Sequence, residues 1–165
     1  VAQLLLLNEV CEADVVLDTN VLSHAENPGV EQQESALAVL DWMRNSDVRW
    51  VLDDQGKTAP DPKTSLLFQE YRATLSPQSA SLRLLIDFLS SQRVVFAPRP
   101  GQSVRDCIRR LIQNNVNDRA VLGAAHGSRD RVLVSNDTAD FSESVRDSVW
   151  QQLEVNIITS AEAAA

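Results

Sequence analysis

The sequence predicts an α/β protein: three layers, α/β/α, around a mostly parallel sheet of about five strands. Three observations carry this. Short apolar runs alternate with segments of helical period along nearly the whole chain. The runs are continuously apolar, as strands buried on both faces are. Strands alternating with helices then require a sheet covered on both sides.

Asp14–Asp18 reads as the first strand, a buried run ending on an acid, with Ala2–Val10 before it as a short helix. Asn27-Pro28-Gly29 marks a turn. Glu31–Arg44 carries Leu37, Leu40 and Met43 at helical spacing, and Val48–Leu52 is the second strand. Gly56, Pro60 and Pro62 make Asp53–Lys63 a loop. Helical patterns follow at Ser65–Leu75 and Ser79–Ser91, parted by Ser76-Pro77. Val94–Ala97 is the third strand, closed by Pro98 and Pro100.

Ser103–Gln113 is an amphipathic helix with Val104, Cys107, Ile108 and Leu111 on one face; Ser103 suits its N-cap, and Asp106 its first turn. Asp118–His126 is a helix of small residues, Ala120, Gly123 and Ala124, suited to close packing on a sheet. Arg131–Ser135 and Glu154–Ile158 are the last two strands, with Ser142–Gln152 a helix between them. Ala161–Ala165 is expected to fray.

The 165 residues predict one domain, 1–165, with its core at about 14–158. Hydrophobic residues are 44% and charged residues 23%, the balance of an ordinary globular domain. No apolar run approaches the roughly 20 residues of a membrane span, and Leu4–Leu7 follows no basic segment, so neither a membrane anchor nor a signal peptide is expected. The chain begins at Val1, which suits processing or truncation. Cys11 and Cys107 form no framework and read as reduced thiols in a cytoplasmic protein. The net charge of −8 disfavours binding nucleic acid through phosphate contacts alone, unless carboxylates are concentrated in one place and metal ions neutralise them.

The acids meet that condition. Parallel strands share one C-terminal edge, where sites of open α/β sheets lie. Asp18 ends the first strand, and Asp137 and Asp140 follow the fourth. Asp118 opens a helix leading into that strand, and Glu70 lies on the helix after the second strand. Converged carboxylates repel one another and raise each other's pKa. Hard cations such as Mg²⁺ or Mn²⁺ remove that cost and suit phosphodiester cleavage. Each acid also has a structural alternative: Asp18 as a solvent-facing strand end, Asp118 as an N-cap, Asp137 and Asp140 as turn residues, Glu70 on an exposed helix face.

Asp18-Thr19-Asn20-Val21-Leu22, Asn117-Asp118-Arg119-Ala120-Val121-Leu122-Gly123-Ala124-Ala125 and Ser135-Asn136-Asp137-Thr138-Ala139-Asp140-Phe141 together resemble the PIN domain, over roughly Asp14 to Ile158. That resemblance implies a metal-dependent ribonuclease with a parallel sheet of about five strands. It implies Asp18, Asp118 and Asp137 as metal ligands, with Asp140 a further ligand or an orienting group. It makes Asn20 a support for Asp18 or for a metal-bound water, and Ser135 a support for the ligand loop or a contact to a phosphate. It also implies a single-stranded RNA substrate with single-stranded DNA open, a homodimer, and an antitoxin or other regulatory partner. The middle acid departs from the pattern: a loop with two prolines precedes Glu70, and Asp53 and Asp54 are rivals for its role. In this stretch, Trp50–Gly56 and then Glu70-Tyr71, the chain is similar to PIN-like proteins outside the compact toxin group.

Two other classes compete. A non-catalytic PIN-like module binding RNA or a protein suits the displaced middle acid and acidic composition. A phosphotransfer domain using Asp18 as acceptor is disfavoured, because Asp18-Thr19-Asn20 lacks the second acid of an Asp-x-Asp motif and no lysine follows the late strands. His24 and His126 read as surface or packing residues, and Trp42, Trp50 and Trp150 as core, with stacking on bases as their alternative. Arg99, Arg105, Arg109 and Arg119 line the substrate approach or form ion pairs.

Overall fold

A computed structural model describes residues 5–165. Five parallel strands form one sheet in the order β3-β2-β1-β4-β5. They are β1 Asp14–Leu17, β2 Arg49–Asp53, β3 Val94–Ala97, β4 Val132–Val134 and β5 Asn156–Ile158. Val15 pairs with Trp50, Leu17 with Val134, Leu52 with Phe96 and Leu133 with Ile157. Every residue of central β1 is buried, whereas edge strand β3 buries only Ala97.

The helices are α1 Leu5–Val10, α2 Thr19–Ala25, α3 Gln33–Asn45, α4 Leu66–Thr74, α5 Ala80–Ser90, α6 Gln102–Leu111, α7 Val116–Gly127, α8 Glu143–Leu153 and α9 Ser160–Ala163. The chain steps from β1 through β2 to β3 in one direction, then crosses back to β4 and β5. Right-handed crossovers therefore put α2 to α5 on one face and α6 to α8 on the other. In agreement, α2 packs on α3, α6 packs on α7 and α8, and α9 extends the first face against α3. The direction reverses between β1 and β4, so the crevice of the fold opens at the C-terminal ends of those two strands.

Trp50 is fully buried beneath the first face. Tyr71 and Phe88 meet it edge-on, with ring centroids at 6.0 and 5.6 Å. Arg93 lies 4.1 Å over Phe88 and donates to the carbonyls of Met43, Ser46 and Val48. These contacts fix α3, α5 and β2 to one another, and α4 with them through Tyr71.

Several expectations are corrected. A helix, α2, begins directly after Asp18 where none is expected; Thr19, Asn20 and Val21 are indifferent helix formers, and packing against α3 supports it. Asp18 itself is the N-cap, accepting from Thr19 N. The helix expected from Ser103 starts at Gln102 with Gly101 as its N-cap, so Asp106 lies beyond its first turn. The loop expected to start at Asp53 begins one residue later, because Asp53 completes β2, and Pro62–Thr64 forms a 3-10 turn capped by Asp61. The C-terminal segment does not fray: Thr159 and Glu162 form a reciprocal capping box, and Ala163 is fully buried. Trp150 is 57% exposed and outside the core, while Trp42 packs against its edge. Of the helix expected over Ala2–Val10, residues 2–4 lie outside the described residues. Among the described residues no helix is long and apolar enough to cross a membrane.

Candidate metal centre at the β1–β4 crevice

Pairing of Leu17 with Val134 places Asp18 and Ser135 side by side just beyond the sheet. Ser135 Oγ donates to Asp18 Oδ2 at 2.6 Å, and Asn20 Nδ2 donates to the same oxygen at 3.1 Å. Thr19 N donates to Asp18 Oδ1 at 2.8 Å. Asn20 Oδ1 in turn accepts from Asn136 N at 2.8 Å. The start of α2 and the turn after β4 are thus stitched together by side chains.

Beyond β4 the chain makes an Asx turn. Asp137 Oδ1 accepts from Ala139 N and Asp140 N at 3.0 and 2.9 Å, and Ser135 Oγ accepts from Asp137 N at 3.1 Å. The turn reading of Asp137 is correct for one oxygen, and that turn brings Asp140 round. Asp118 arrives from the opposite side on α7. It is not the N-cap: Asn115 is, accepting from Asp118 N at 3.1 Å and donating to Asp140 Oδ2 at 3.1 Å.

Asp118, Asp137 and Asp140 each present a carboxylate oxygen, and these oxygens lie within 4.8 Å of one another. Asp18 stands outside that triad, yet close enough for its charge to act on Asp118. Burial pushes the Asp118 carboxyl up to about 8, aided by hydrogen bonding to Asp140 and by the charges of Asp18, Asp137 and Asp140. Burial also raises Asp18, against the three donors that hold it and with the charge of Asp137. Burial and then the charge of Asp18 raise Glu70.

Glu70 reaches this group because α4 is anchored on both sides. Tyr71 is fully buried and donates its hydroxyl to the carbonyl of Leu17, the residue before Asp18. Asp53 holds the start of the helix, accepting from Ser65 Oγ, Leu66 N and Leu67 N at 2.6, 3.0 and 2.9 Å. Both oxygens of Asp53 are thereby engaged. Asp54 Oδ1 accepts from Gly56 N and Arg99 N. Of the three rivals for the middle acid, Glu70 is the one brought beside Asp18.

Among the described residues, three buried polar atoms at the crevice have no hydrogen-bond partner: Asp118 Oδ2, Glu70 Oε2 and Thr19 Oγ1. A buried acceptor left unmade is costly. A hard divalent cation is the natural complement of such oxygens, and an all-oxygen donor set suits Mg²⁺ or Mn²⁺. Acids elsewhere are engaged differently. At the other end of the sheet Asp14 accepts from Arg129 N and Asp130 N, and Asp130 accepts from the amides of residues 12–14.

Sequence reasoning missed Asn115, Asn136 and Tyr71. Asn115 carries a legible signal, an Asx residue three before an acid at a helix start. Asn136 bonds His24 Nδ1 at 3.0 Å and Ser160 N at 2.9 Å, contacts that no local pattern announces. The arginines split: Arg105 and Arg119 donate to backbone carbonyls, Arg109 pairs with exposed Asp106, and these three line one cleft together with Arg99.

A scan against protein-family models finds no match, and neither does a search of curated proteins. Among solved structures, VapBC2 from Rickettsia felis bound to a DNA fragment from its promoter is similar at 15% identity and a TM-score of 0.46, over 88% of this chain and 98% of that one. The fold assignment rests on strand order and register: an α/β protein with a parallel five-stranded sheet whose crevice gathers carboxylates.

Proposed function

We propose that this chain is a divalent-metal-dependent nuclease of PIN type that hydrolyses phosphodiester bonds in single-stranded RNA. The observation that carries the proposal is the Asp118, Asp137 and Asp140 triad, with a buried unpartnered oxygen on Asp118 and with Asp18 beside it. The motif resemblance around Asp18, Asp118 and Asp137 points the same way.

In this reading Asp118, Asp137 and Asp140 hold Mg²⁺ or Mn²⁺, and Asp18 completes the centre. Such a cation supplies Lewis acidity toward a phosphate and makes water a stronger acid. The chain's own residues do the rest. Ser135 and Asn20 fix one oxygen of Asp18 and leave its carboxylate orientation little freedom. Glu70, half-buried with its pKa raised by burial and by the charge of Asp18, would serve in this reading as the general base toward water. Asn115 orients Asp140. The reading includes a cytoplasmic location, a homodimer and a regulatory protein partner of the antitoxin kind; single-stranded DNA is the alternative substrate.

The test is purified protein with labelled single-stranded RNA and DNA in Mn²⁺, Mg²⁺ or EDTA, beside Asp18→Asn and Asp118→Asn. Cleavage of RNA that disappears in EDTA and in both variants is the expected result. A folded wild type that neither cleaves nor takes up Mn²⁺ in calorimetry is instead a non-catalytic module, and the proposal fails.

A further inference from the structure

A cleft opens at the C-terminal end of β3, between α6 and α7. Its volume is about 160 Å³, well below the ~300 Å³ at which pockets for drug-sized ligands begin. The floor is apolar, with Ile108, Ala120 and Gly123 contributing. The walls carry Arg99, Arg105, Arg109 and Arg119. Four arginines around one small apolar slot, in a chain of net charge −8, are not explained by general surface solvation.

Nor are they explained by ion pairing. Arg105 donates to the Pro100 carbonyl at 2.6 Å and to Gln102. Arg119 donates to the Ile112 carbonyl at 2.6 Å and to the Gln113 carbonyl. Carbonyls orient these guanidinium groups without neutralising them. Arg109 faces Asp106 at 3.4 Å in an exposed pair, which is worth little. Arg99 makes no side-chain hydrogen bond among the described residues. Asp53 also lines the cleft, but both its oxygens are held by α4 and Gln55.

Asp118 and Arg119 are consecutive on the first turn of α7, one in the triad and the other in the cleft wall. We infer that the cleft is a nucleotide subsite, taking one base of a single strand in its apolar floor while the arginines hold the flanking phosphates. Planar guanidinium groups suit both tasks, forking onto phosphate and stacking on base faces. Free phosphate would leave the floor empty. An acidic peptide would satisfy the arginines, but it offers no planar ring for the slot. The choice of a nucleic-acid strand rests on the nuclease reading; the cleft itself does not.

The experiment is fluorescence anisotropy of a short labelled single-stranded RNA in EDTA across a salt series, where cleavage is off. Arg99→Ala/Arg109→Ala, both exposed and free of structural bonds to the core, should weaken binding at least tenfold. The slope of log K against log salt should fall by about 0.7 for each phosphate that is no longer neutralised. Ala120→Leu should fill the floor, weakening an intact strand while leaving an abasic strand of equal length unchanged; its melting curve checks that it folds. Unchanged affinity and slope in the arginine variant overturns the subsite. So does a variant that loses a polyglutamate peptide but keeps RNA, which would reassign the cleft to a protein partner. A wild type that binds in this way yet neither cleaves nor takes up Mn²⁺ refutes the nuclease and leaves the subsite standing. One that cleaves while both variants bind normally refutes the subsite alone.

Discussion

Ser135 donates its hydroxyl to Asp18 across 2.6 Å and thereby joins the end of β4 to the end of β1. The same oxygen accepts from Asp137 N, so one hydroxyl orders acids on both sides of the crevice. On the proposed nuclease reading, Ser135→Ala should lower Mn²⁺ affinity and cleavage by about 10–100-fold, the usual effect of removing a group that orients a ligand. Calorimetric titration beside a cleavage time course checks this. An unchanged affinity would show that Asp18 needs no such support.

Asp118 links charge to stability. Its ordinary value is 3.8, and in the folded, metal-free protein it rises to about 8. A raised carboxyl favours the protonated native state, so its ionisation penalises folding. In metal-free protein the contribution of Asp118 is therefore full below about pH 3.8 and is lost as pH rises toward about 8. The raised values of Asp18 and Glu70 act in the same direction. Melting curves in EDTA from pH 4 to about 8 should show that fall, Asp118→Asn should flatten it, and Mn²⁺ should reverse it at the alkaline end.

Asp53 is a structural acid. Asp53→Ala removes the acceptor of Ser65 Oγ, Leu66 N and Leu67 N at the start of α4. The expected cost is about 1–2 kcal/mol, as for other lost helix caps. Because α4 carries Glu70, cleavage should fall as well, while Mn²⁺ binding at the triad should persist. Urea denaturation and the metal titration separate the two effects.

Tyr71 fixes the same helix to β1. Tyr71→Phe leaves the Leu17 carbonyl and Trp50 Nε1 without their shared partner in the core. The expected loss is about 1–3 kcal/mol, that of a buried group left unsatisfied. A lowered urea midpoint with unchanged slope is the signature.

The five strands and the acids at their ends were legible because both are local patterns. Apolar runs such as Val15–Leu17 and Val132–Val134 state their burial directly, and parallel pairing then puts their C-termini on one edge. Helix α2 was not legible, since its residues have no strong preference and α3 supplies its support. The burial of the last turn at Ala163 depended likewise on a face that α3 and α1 provide.

Local pattern thus suffices for the α/β class, the strand positions and the candidates Asp18, Asp118, Asp137 and Asp140. Which of the acids meet, and which are held by other donors, depends on the packed fold. It committed Asp53 and Asp54 to backbone amides, brought Glu70 beside Asp18 through Tyr71, and set four scattered arginines around one slot. The reason is physical. A strand or turn is encoded by neighbours in sequence, whereas whether a carboxylate is satisfied depends on which distant donors the packed chain delivers to it.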